Sequence, residues 1–201
     1  MIHRISFLLF LTFLFAQKEH PPIHQEQLKH FKKKPSPPVE KIHVLTGLDV
    51  LLEKKQYVVQ GKSIALVTNH SGIDRFGNPN FRKLMTMDDV NLKIIFSPEH
   101  GLFGEADAGE KISYSEIDLN LPEVISLYGK IRKPSTEMLE GIDLILYDIQ
   151  DIGARYYTYI TTLGLVMETA GELGIPILVL DRPNPIRGDI IEGPVLNLEF
   201  K

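Results

Sequence analysis

The pentapeptide Ser97-Pro98-Glu99-His100-Gly101 sets a carboxyl group beside an imidazole, directly after the apolar run 92–96. A glutamate able to give up a proton, next to a histidine, is the equipment of acid–base chemistry on a polar substrate. Phe96 and Phe103 flank Glu99 in the chain, a setting that would desolvate its carboxyl group and suit it to general-acid work. His100 would orient Glu99, touch substrate, bind a metal or simply be hydrogen-bonded within the turn. Three more apolar runs end in the same manner: 63–67 in Asn69 and His70, 144–147 in Asp148, Gln150, Asp151 and Arg155, and 177–180 in Asp181, Arg182 and Asn184. The stretch after the third run also carries Tyr156, Tyr157 and Tyr159, flat rings with hydroxyls of the kind sugar sites use, although some of these rings belong to a core. Asp151 and Arg155, four apart, would pair across one turn if helical.

The elements that must position these residues follow from hydrophobic period. A short helix over 46–55 precedes the strand at 63–67, and weaker helices cover 80–88 and 136–140. Between the third and fourth strands Ile160, Leu163, Val166, Met167 and Ala170 recur at helical spacing, which predicts a crossover helix with that face on the sheet and hence parallel neighbours. Short, nearly continuous apolar strands alternating with helices describe an α/β domain over 45–201, Rossmann-like in having a parallel sheet with helices on both faces. In such a sheet all four polar strand ends lie on one rim, where ligands bind. Pro183 and Pro185 stiffen the last of these loops and hold Asp181, Arg182 and Asn184 in place.

Composition excludes several chemistries. The 201 residues are 43% hydrophobic, enough for one globular domain, and 22 basic against 26 acidic residues leave no basic footprint for nucleic acid. No cysteine occurs, so disulfides, thiolate metal sites and a cysteine nucleophile are absent. Gly101, Gly104 and Gly109 do not form G-x-G-x-x-G, and neither a P-loop nor a G-x-S-x-G elbow is present, so no nucleotide cofactor is expected. At the N-terminus a short basic start and an apolar run from Ile5 to Ala16 read as a signal peptide over 1–16, with an uncleaved anchor as the alternative. Residues 17–44, rich in Pro, Lys, Glu and His, read as a flexible linker. The expectation is a secreted protein, extracellular, periplasmic or in the cell wall, with no stable membrane span once the signal is cleaved.

Taken together, SPEHG at 97–101, DIQDIGARYYTY at 148–159 and DRPNP at 181–185 resemble the exo-β-N-acetylmuramidases of the NamZ type, glycoside hydrolase family 171, from about Thr46 to the end. The resemblance implies a Rossmann-like domain paired with a smaller C-terminal domain across a cleft, and removal of terminal N-acetylmuramic acid from the non-reducing ends of muramyl saccharides derived from peptidoglycan. It puts the proposed catalytic glutamate on Glu99, with His100 and Asp148 beside it. Asn69, Arg155, Tyr156, Asp181 and Asn184 then look like cleft-lining residues together with His100 and Asp148, and the strand-end reading adds Gln150, Asp151, Tyr157 and Arg182 as substrate-binding candidates. Asp148, Asp151 and Asp181 are unranked candidates for a second carboxylate, the substrate's acetamido group being another, and Arg155 or Arg182 would take the lactyl carboxylate. No cofactor or metal is implied. Members continue for roughly as many residues again beyond the position of Lys201, so a missing second domain, or a separate C-terminal half as partner, is expected. The rival readings are a non-catalytic glycan-binding module and a metal-dependent hydrolase built on His70, His100, Asp148 and Asp181.

Overall fold

The computed structural model describes residues 44–104 and 121–200; the expected signal segment and nearly all of the linker lie outside them. In chain order the elements are α1 (Gly47–Lys54), β1 (Lys62–Thr68), α2 (Asn80–Met85), β2 (Val90–Ser97), β3 (Glu123–Ser126), β4 (Leu144–Asp148), α3 (Tyr159–Leu173) and β5 (Ile177–Val179), with short 3₁₀ turns between. The five strands form one sheet in the order β3-β2-β1-β4-β5. Every neighbouring pair is parallel. This is the Rossmann order, in which the chain leaves β1 toward one edge and returns at β4 to fill the other.

Side-chain alternation along the strands divides the core between the two faces. Ile64, Leu66, Ile95 and Leu146 pack with Leu48, Leu51, Phe81 and Leu84 of α1 and α2 on one face. Ala65, Val67, Phe96 and Ile145 pack with Tyr159, Val166 and Ala170 of α3 on the other. Helices thus cover both faces, as the near-continuous apolar strands require.

Three local expectations change. The strand β3 is additional; it is an edge strand of four residues, only partly buried, and lacks a continuous apolar run. Helix α2 ends at Met85, and the segment at 136–140 is a 3₁₀ turn over Glu137–Leu139. On α3 the face against the sheet is Tyr159, Thr162, Val166, Thr169 and Ala170, while Ile160 and Met167 are 58% and 54% exposed. The helix is therefore rotated from the purely apolar reading, because Thr162 and Thr169 return hydroxyl hydrogen bonds to Thr158 and Pro134 carbonyls and so tolerate burial.

Helix α1 starts with a capping box. Thr46 Oγ1 accepts from the Asp49 amide at 3.2 Å, and Asp49 returns a carboxylate oxygen to the Thr46 amide at 3.0 Å. The other Asp49 oxygen accepts from the Arg75 amide at 3.0 Å, fastening the β1–α2 loop to α1. Burial pushes the Asp49 carboxyl up, but the hydrogen bonds from Arg75 and Thr46 outweigh it and hold the group below its ordinary 3.8. A carboxyl depressed by folding stabilises the fold above its unfolded value and loses that contribution as pH falls through the folded one. Asp49→Asn is accordingly expected to lower stability by about 1–2 kcal/mol at pH 7, with the gap to wild type closing below about pH 4; urea unfolding of both proteins at pH 7 and pH 3 measures it.

Candidate active site

The order of strands opens a crevice where connections from β1 and β4 depart to opposite sides. Thr68 and Asp148 are register partners at that point. Asp148 has no solvent exposure. Its carboxylate accepts from Arg182 Nε at 2.7 Å and a terminal Arg182 nitrogen at 3.0 Å, a two-pronged pair, and from Asn80 Nδ2 at 2.8 Å. The Arg182 side chain is itself only 6% exposed and spends a further N–H on the Ile73 carbonyl at 3.0 Å. Asn80 Nδ2 also reaches Thr68 Oγ1 at 2.7 Å. The first residue of α2, the ends of β1 and β4 and the loop after β5 are thereby locked around one carboxylate. Gly72 makes this possible, since a Cβ there would stand 2.2 Å from Thr68 Oγ1 and 2.3 Å from Asn80 Nδ2.

A second network runs along the opening. Asn69, buried, donates to the Tyr159 hydroxyl at 2.9 Å and accepts from the Ser71 amide and hydroxyl at 2.9 and 2.6 Å. The Ser71 hydroxyl accepts from the Gln150 amide at 2.9 Å. Tyr147 donates to the Tyr159 carbonyl at 2.8 Å, and the Tyr157 ring meets Tyr159 edge-on with centroids 4.7 Å apart. Burial first, then the Tyr157 contact, keep the Tyr159 phenol far above the ordinary tyrosine range; the hydrogen bond from Asn69 pulls the other way, and the charge of Glu99 adds the smallest push upward. Tyr159 is a neutral hydroxyl within electrostatic reach of Glu99.

Glu99 sits where β2 stops, half-buried. The Gly101 amide donates to the Pro98 carbonyl at 3.1 Å, and His100 adopts a left-handed φ of 69°. A positive φ at the third residue of a four-residue turn is the type II signature, which histidine tolerates better than bulkier or β-branched residues. The turn swings the chain away and leaves Glu99 at the rim. Its charge lies near enough to the Tyr128 hydroxyl to hold that phenol above its ordinary 10.0. Phe96 and Phe103 join core clusters on opposite faces of the sheet, so they do not enclose Glu99 between them.

The remaining expected residues divide by their contacts. Asp151, Asp181 and Arg182 line, with Tyr159 and Leu163, a hollow of ≈ 200 Å³ between β5 and α3. Gln150 donates its amide to the Asp151 and Pro183 carbonyls at 2.8 and 2.9 Å, joining the loops after β4 and β5. Asn184 presses against Gly153 and accepts from the Ile186 amide at 2.9 Å. Arg155 and Tyr156 are exposed, Tyr156 by 84%. Arg182 is engaged with Asp148, so its guanidinium is not free for a substrate carboxylate, and Asp148, enclosed and ion-paired, is not placed to meet a reacting atom. Asp151 and Arg155 make no pair of their own; the segment is not helical, and Asp151 accepts instead from the Gly153 amide at 2.7 Å. Among the described residues no three His, Asp or Glu side chains are grouped to hold a metal ion.

Asn80, Ser71 and Tyr128 were not singled out by the sequence patterns as site residues. Neither Tyr128 nor Asn80 had a readable signal: Tyr128 follows an edge strand with no continuous apolar run, and a buried asparagine opening a helix looks like a surface cap.

The chain matches the family described as exo-β-N-acetylmuramidase NamZ, N-terminal, over residues 64–201. It is 45% identical over 162 residues to the peptidoglycan β-N-acetylmuramidase NamZ of Bacillus subtilis, covering 80% of this chain and 39% of the relative. Among crystal structures it resembles two DUF1343 family proteins of Bacteroides fragilis. One superposes with a TM-score of 0.68 at 42% identity, over 78% of this chain and 39% of that one. The other gives 0.64 at 31% identity, over 79% and 40%. The chain thus spans about two fifths of the length of these relatives.

Removing one member of the buried pair leaves the other charged and unsolvated. Asp148→Ala should lose roughly 3–5 kcal/mol of stability, whereas joint replacement by apolar residues, Asp148→Leu with Arg182→Met, should recover much of it; denaturant melts of the three proteins check the order.

Proposed function

Because the chain belongs to the NamZ N-terminal family, we propose that it serves the release of terminal N-acetylmuramic acid from the non-reducing ends of peptidoglycan fragments, with Glu99 as the proton donor. The observation that carries this reading is the placement of Glu99, half-buried at the sheet's rim just past the end of β2, on a turn whose next residue is left-handed. The B. subtilis relative, itself a peptidoglycan β-N-acetylmuramidase, supports the substrate class.

In this reading the Glu99 carboxyl transfers its proton to the glycosidic oxygen as the bond to the sugar's anomeric carbon breaks, and the oxocarbenium-like centre is met by water or by an internal nucleophile. Asp148 acts as a positioning residue through Arg182 and Asn80. Asp151 and Asp181, on the hollow beside Tyr159, are the carboxylates left for the second role, alongside the substrate's own acetamido group. Arg155, exposed near the same loop, is the arginine that remains for the lactyl carboxylate, where a planar guanidinium offers two parallel donors. The basic start and apolar run at residues 3–16 support action outside the cytoplasmic membrane.

The test is chromatographic detection of N-acetylmuramic acid released from a β-linked muramyl disaccharide by the purified protein. Glu99→Gln keeps the shape and removes the proton, and a fall in kcat of about 10²- to 10⁴-fold is expected. Undiminished turnover in that variant would take Glu99 out of the acid role.

A further inference from the structure

The β2–β3 pairing aims a second group at Glu99. Ser97 and Ser126 are register partners at the end of the parallel ladder, and the Leu127 amide donates to the Ser97 carbonyl at 2.7 Å, carrying the pairing one residue further. Glu99 and Tyr128 each lie two residues beyond that last matched pair. Leu127 is 4% exposed and belongs to the core on the α3 face, while Gly129 turns the chain at once with φ 83°. Tyr128 is therefore held between a buried anchor and a turn, and the register of the ladder sets it beside Glu99 past the rim.

We propose that Tyr128 is a positioning residue for Glu99: its phenol donates to one carboxyl oxygen and leaves the other turned toward the substrate. This rests on the assignment of Glu99 as proton donor. When Glu99 gives its proton to the glycosidic oxygen, negative charge builds on the carboxylate and the hydrogen bond from Tyr128 strengthens, so the contact favours the transition state over the ground state. Tyr128 keeps its own proton throughout. In accord with that, the nearby Glu99 carboxylate raises the Tyr128 phenol above its ordinary 10.0, aided by slight burial and opposed by Arg132. Tyr128 is 41% exposed, so Tyr128→Phe keeps the ring and the fold and deletes only the donor.

Two measurements on the full chain decide it. With ring-¹³C tyrosine, the NMR titration of Tyr128 should move down toward the ordinary tyrosine value in Glu99→Gln; an unmoved titration overturns the pairing. In steady-state kinetics on the muramyl disaccharide, Tyr128→Phe should lower kcat about ten- to a hundredfold with KM changed less than twofold. A raised KM at constant kcat would make Tyr128 a sugar contact and overturn the positioning role. If the wild-type protein releases no sugar while the titration moves as stated, the pairing stands and the muramidase reading is what fails.

Discussion

A carboxylate sealed from water governs this fold. Asp148 cannot sit at the end of a central strand in an apolar sheet unless its charge is matched and its lone pairs are filled, because an unpaired buried charge costs more than most single contacts can offset. Arg182 and Asn80 meet both demands, and in doing so they fix the distances between parts of the chain over a hundred positions apart. The loop after β5 is drawn to β4, and the start of α2 is drawn over β1. A hydrophobic core alone would permit these loops to shift, since apolar contacts are not directional; the charged fork is, and it makes the rim a defined surface.

The two polar networks divide the work at that rim. The Asp148 network faces the α1 and α2 side and is sealed. The Asn69–Tyr159 network faces the opening and stays close to Glu99, which supplies an acid group with a rigid, uncharged neighbourhood of hydroxyls and amides. Such a neighbourhood suits the hydroxyl and amide groups of a sugar, to which it offers both donors and acceptors.

Much of the architecture was legible from the chain. The runs at 63–67, 92–96, 144–147 and 177–180 are strands, they are parallel, and their polar ends share one edge, because a doubly covered sheet writes itself as uninterrupted apolar segments. β3 escaped because an edge strand of Glu-Val-Ile-Ser is half exposed and carries no such run. Tyr128 was missed with it. Residue type also misled at α3, where Ile160 and Met167 face water and two threonines face the sheet. At the rim, a charged residue in sequence does not reveal whether it meets solvent or another charge: Asp148, Asp151 and Asp181 read alike, yet one is enclosed by an arginine and two border a hollow.

The short edge strand has a consequence for variation. Edge strands and the loops after them commonly absorb insertions and deletions, but the side-chain period of a strand is two, and Leu127 and Tyr128 are adjacent. Loss or gain of one residue within Glu123–Leu127 would exchange them, sending a tyrosine toward the core and a leucine toward the acid. In genetic terms β3 should accept many substitutions and no single-codon change of length, an intolerance set by arithmetic rather than by the chemistry of any one side chain.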